Sequence, residues 1–238
     1  MFGIRASCLT AAAAASLLAA CGSSSTSSNA GGGSGGFAAV RAAFANYGNQ
    51  PSAHIKLNVT GSSPSSFELD VTKDGLTGSV SIEGQLVSIV YIGGHGYVQA
   101  VPGSPFTQLP DGDTKAFGLF TISTFASCFN SFLAQRAPQI ASGGISSSTT
   151  TVNGAAATDY KSSDGQAEVV ISSGSNPLPL KLIGQNNSSS SSSSSSSNPA
   201  CDTGSSSSSS SSSSGGGTIE IDWTYPGNVT TITPPPTA

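Results

Sequence analysis

The chain has 238 residues, of which only 8% are charged and 7% aromatic, and its 29 glycines sit beside long serine runs. That is material for one domain plus segments too poor in apolar residues to offset the entropy of ordering them. A net charge of -4 and a pI near 4.9 provide no basic patch, so nucleic acid is excluded as an expected partner.

Arg5 precedes a short apolar run from Cys8 to Ala20, closed by Leu18-Ala19-Ala20-Cys21. A charged start, an apolar stretch and small residues before a cut site make residues 1–20 a bacterial secretion signal. The tetrapeptide resembles the lipobox read by bacterial lipoprotein signal peptidase, which implies that Cys21 becomes the first mature residue and carries acyl chains. The run is shorter than the ~20 residues that span a bilayer, and no later stretch approaches that length. The mature protein is therefore expected to be exported and held on the outer face of the bacterial cell membrane by acylated Cys21. Cys128 and Cys201 remain. An oxidising compartment, with no histidine near either in sequence, favours a disulfide between them over a metal site or a nucleophile. The bridge would close a loop of about 70 residues and contribute roughly 4 kcal/mol.

Residues 21–36 comprise the anchor cysteine and a serine–glycine tether that behaves as flexible coil. Gly31 to Gly36 fits G-x-G-x-x-G, and Gly32 to Gly36 fits G-x-S-x-G around Ser34, but no strand precedes either and the composition alone produces both. Phe37, Val40, Phe44 and Tyr47 recur at helical spacing before Gly48, which predicts a short amphipathic helix. Alternating strands follow at His54–Thr60, Ser66–Thr72 and Leu76–Glu83, with short turns that make them antiparallel neighbours. Leu86–Ile92 is apolar on both faces, so cover on both is expected; Tyr97–Val101 follows, and Pro102, Pro105 and Pro110 break the next stretch into loop. A phenylalanine-rich helix is predicted from about Thr121 to Gln135, ended by Pro138. The strand pattern resumes at Ile145–Val152, Ala155–Lys161, Gln166–Ser172 and Leu178–Ile183. Residues 186–217 are nearly pure serine and have nothing to bury, so they read as a disordered insertion. Thr218–Trp223 and Val229–Thr233 then supply two last strands before the Pro234-Pro235-Pro236 tail.

The chain thus divides into a leader (1–20), a lipidated tether (21–36), a main domain part (37–185), the serine insertion (186–217) and the closing strands with the tail (218–238). The order of elements, together with Thr151-Val152-Asn153-Gly154, Pro177-Leu178-Pro179-Leu180 and Asp222-Trp223 leading to Val229-Thr230, resembles the actinobacterial LppX/LprA/LprG lipoprotein group, whose half-barrel is similar to the LolA and LolB carriers. The resemblance implies an α+β fold, a strongly bent antiparallel sheet of about ten strands wrapped around two short helices. It also implies an apolar cavity for acyl chains of a lipid or glycolipid. The serine insertion and the cysteine pair depart from that pattern.

Such a cavity would be lined from the sheet's inward face and the aromatic helix, by Leu57, Phe67, Leu69, Val80, Ile82, Ile89, Tyr91, Phe120, Phe125 and Phe129; each is equally a plain core position. No nucleophile with a base is visible, and His54 and His95 lack metal-spaced partners. No enzyme activity, cofactor or metal is expected. The expected function is binding of a lipid or glycolipid for transport or storage in the envelope, with an unidentified transport partner. The alternative is a packed, ligand-free domain acting in protein–protein interaction, envelope assembly or sensing.

Overall fold

The computed structural model describes residues 33–61, 64–82, 84–186, 217–226 and 231–237. The stretch read as a secretion signal, Cys21, most of the stretch read as tether, residues 187–216 of the serine insertion and Cys201 lie outside the described residues. Three helices and eleven strands occur among those described. Helix α1 spans Gly33–Tyr47, followed by β1 (Ser52–Val59), β2 (Ser65–Thr72), β3 (Gly75–Ile82), β4 (Gln85–Ile92), β5 (His95–Gln99) and β6 (Thr107–Gln108). Helices α2 (Asp111–Gly118) and α3 (Ile122–Gly143) come next, then β7 (Ile145–Val152), β8 (Ala155–Ser162), β9 (Ala167–Ser172), β10 (Pro179–Asn186) and β11 (Gly217–Thr224).

All eleven strands form one antiparallel sheet in the order β6-β5-β4-β3-β2-β1-β11-β10-β9-β8-β7. The sheet is open and bent, an α+β half-barrel. Two meanders run outward from the middle, where β1 pairs with β11 from His54↔Thr224 to Val59↔Ile219. Alternation dictates the inward face: Ile55 and Leu57 in β1, Phe67, Leu69 and Val71 in β2, and Ile219, Ile221 and Trp223 in β11 are buried together. Their neighbours Lys56, Glu68, Glu220 and Asp222 turn outward and form ion pairs such as Lys56–Glu68 at 3.4 Å and Lys181–Asp222 at 3.3 Å. Partly exposed pairs of this kind add little stability. The apolar face beneath them supplies the fold's driving force.

Several sequence expectations are corrected. The described residues hold three helices where two short ones were expected. Helix α1 begins at Gly33, inside the stretch read as tether. A Cβ on Gly36 would press on Ile145 and Tyr160 at 3.3 Å, so glycine permits the close approach of the first turns of α1 to the sheet. The stretch broken by the three prolines, expected as loop, holds strand β6 between Pro105 and Pro110, and helix α2 starts directly after Pro110. Helix α3 continues past Pro138 to Gly143, because one missing N–H does not outweigh the remaining hydrogen bonds of a 22-residue helix.

The strand expected at Val229–Thr233 is absent where it can be seen: Thr231 to Pro236 form no ladder, and Val229 and Thr230 lie outside the described residues. Both sides of β11 are already taken, by β1 and β10, and three successive prolines supply no N–H. The tail instead brings Ile232 against Gly75 and bridges Thr237 to Phe106. Cover on both faces of β4 is only partial. Ile89 faces the core and Val90 is 7% exposed on the outward side, but Leu86 is 55% exposed.

Candidate functional site

Most of the concavity is closed by aromatic rings. Phe44 of α1 lies tilted by 31° against Phe129 of α3 with centroids 3.9 Å apart, and Phe125 lies 6.1 Å from Phe129 with planes only 7° apart. Trp223 meets Phe44 and Phe125 edge-on at 5.9 Å. Tyr47 is fully buried beside Trp223; burial pushes its phenol well above the usual tyrosine range, and the Trp223 indole offsets only part of this. Neither the Tyr47 hydroxyl nor the Trp223 indole N–H has a partner within hydrogen-bond geometry among the described residues. The Tyr225 hydroxyl, also pushed upward by burial, donates to the Pro179 carbonyl at 2.6 Å.

The half of the sheet made by β7–β10 is less completely filled. There the helices leave a groove of about 70 Å³, between Phe37 and Val40 of α1, Phe129, Phe132 and Leu133 of α3, and Ile145, Tyr160, Ala167, Val169, Leu182 and Gly184 of the sheet. The Tyr160 and Ser162 hydroxyls are the only side-chain polar groups among the lining residues. Ser162 is occupied elsewhere: its hydroxyl donates to Asp164 at 2.6 Å and accepts from the Ala167 N–H at 2.9 Å. The volume offers room on the order of five water molecules, but water needs two to four polar partners, and an apolar chain needs none. The groove lies at the end of the sheet where α1 begins, since Phe37, Ile145, Ser162 and Gly184 all belong to that end.

The expected lining residues divide as follows. Leu57, Phe67, Leu69, Val80, Ile89 and Phe120 sit in the closed core. Tyr91 and Phe125 pack against it from partly buried positions, and the side chain of Ile82 lies outside the described residues. Of the nine whose side chains are described, Phe129 alone borders the groove. The other groove residues carry the same alternation, Val169 with Ile171 and Leu182 with Leu180, and Phe37 and Val40 share the predicted helix face. That signal marks them as inward without saying where the helices fail to fill the space.

Among the described residues no group of three His, Cys, Asp or Glu side chains could hold a metal ion, and no helix is long and apolar enough to cross a membrane. Cys128 is half-buried on α3.

No protein-family model matches the chain, and no curated protein matches it. Among solved structures the chain is similar to LprF from Mycobacterium bovis, with a TM-score of 0.51 and 9% identity over 87% of this chain and 100% of that one. It is also similar to the Mycobacterium tuberculosis lipoprotein LppX, with a TM-score of 0.46 and 15% identity over 82% of this chain and 98% of that one. At 9% identity the LprF likeness is one of fold: an open antiparallel half-barrel with helices in its concavity.

Proposed function

We propose that this protein is an exported lipoprotein, acylated at Cys21 and held on the outer face of the bacterial cell membrane, that takes an apolar chain of a lipid or glycolipid into the groove between α1, α3 and β7–β10. The observation that carries this reading is the groove itself, an apolar recess whose Ser162 hydroxyl is turned to the adjoining loop. Binding is by shape and apolar contact, without chemistry, and serves transport or storage within the envelope. The small volume suits the end of one chain; a larger portion requires the rings of Phe129 and Phe132 to move.

Native mass spectrometry with organic extraction tests this on the full chain carrying Cys21→Ser, prepared without detergent. Co-purified lipid is expected in the parent and is expected to fall at least about tenfold with Ala167→Trp, which fills the groove with an indole. Absence of lipid from the parent after expression in several hosts would reject lipid binding. The density of the Phe44–Phe129–Trp223 cluster favours a second reading, the packed ligand-free domain acting through protein contacts, and that result would support it.

The proposal includes a disulfide from Cys128 to Cys201, which would tie the serine insertion to α3. Thiol titration of the unfolded chain is expected to find neither cysteine free before reduction, and Cys128→Ser is expected to expose one thiol and lower stability by about 2–5 kcal/mol. Two titratable thiols in the unreduced parent would exclude the bridge.

A further inference from the structure

The two edges of the sheet are built differently. Strand β6 is two residues long, lies between Pro105 and Pro110, and is extended by Phe106, which the tail bridges through Thr237. Shortness, proline and cover are common means of keeping a sheet edge from pairing with another chain. Among the described residues strand β7 has none of them. Its eight residues contain no proline and no charge, and they pair with β8 without a register shift from Ile145↔Ser162 to Val152↔Ala155.

Nothing among the described residues pairs with the other side of β7. Alternate residues of a strand turn their N–H and C=O groups to opposite sides, so about four of the eight present both groups to that open side. The side chains leave the strand equally bare. Ser146, Ser147, Ser148, Thr149 and Thr151 are all exposed, which puts both faces of β7 in solvent, and Ile145 is held at its start against α1.

We propose that β7 is a self-association edge, at which two copies of this chain pair antiparallel and continue one sheet into the other. The composition of the strand selects a second copy as the occupant. In a two-fold antiparallel pair each residue faces one of the same hydrogen-bonding parity, so the central residue, Ser148 or Thr149, faces its own copy. A charge there would meet itself, and like charges directly opposite destabilise a pair. β7 carries hydroxyls instead, and Thr–Thr and Thr–Ser pairs across strands are favourable. Thr149, Thr150, Thr151 and Val152 are β-branched and favour the extended form. A charged peptide from another protein finds no complementary side chain on this strand. Pairing at β7 requires neither the lipid nor the anchor.

Sedimentation equilibrium of the full chain carrying Cys21→Ser, taken to about 1 mM, the weak end of specific association, is expected to show a reversible dimer. Thr149→Lys and Thr149→Glu, at an exposed position that leaves the protomer fold and its thermal midpoint unchanged, are each expected to weaken the dimer several-fold. An equimolar mixture of the two variants is expected to restore association to the parental level or above, because opposite charges then face each other. A parent that stays monomeric throughout overturns the proposal. So does a pair of charged variants that dimerises as the parent does, or a mixture no stronger than its components.

Discussion

Replacing Phe44 by alanine is expected to cost about 3–5 kcal/mol of stability, read as a lower denaturant midpoint at unchanged slope. Phe44 is completely buried and touches the rings of Phe129, Phe125 and Trp223, so its loss removes ring contacts of α1 with α3 and with β11 and leaves those of Tyr47 to hold the junction. The surrounding rings cannot collapse fully into the space, because each is held by the others. The vacated volume adjoins Phe129, which borders the groove, so the same variant is expected to take up more of an apolar probe than the parent. A loss below about 1 kcal/mol would mean that the cluster repacks freely and that it does not set the depth of the groove.

Gly78→Ala is expected to be the most damaging single methyl, costing about 3 kcal/mol or more and measured the same way. A Cβ on Gly78 would lie 2.1 Å from the Glu68 carbonyl oxygen and 2.9 Å from the Leu69 Cα, both backbone atoms of β2, at a φ of +157°. Backbone cannot rotate away as a side chain can, so β2 and β3 would have to part where Leu69 pairs with Gly78. Gly93→Ala provides the contrast. Its φ is +60° but nothing lies within 4 Å of the added carbon, so only the backbone preference is lost, about 1 kcal/mol. Equal losses in the two variants would show that the close approach at Gly78 is not what the sheet depends on.

Strands and helices were legible to different degrees. Strand positions follow from alternation and from turns such as Asn153-Gly154, where Asn153 has a φ of 51° and Gly154 one of 80°. These are local events, determined by side chains within a few residues of each other. The aromatic helix was legible from its phenylalanines, but its end was not, since Pro138 breaks a rule that the rest of a long helix can override. Helix α2 was not legible because Pro102, Pro105 and Pro110 mark the stretch as loop, although proline immediately before the first helical residue is also compatible with a helix start.

The candidate site shows the same limit more sharply. Phe67 and Val169 carry the same inward signature, yet one is stacked on Phe120 in the closed core and the other borders the groove. The difference lies in where α1 and α3 stand over the sheet, a matter of volume summed over residues more than a hundred positions apart. The sequence by itself determined the antiparallel strands and the amphipathic faces. Only the tertiary structure decided that β1 and β11 meet at the centre of the sheet. That pairing closes the middle to further strands; among the described residues the proline tail reaches Phe106 near one edge and β7 forms the other. Backbone pairing between distant segments depends on which edges remain unsatisfied once the others have paired, and that is a property of the assembled sheet.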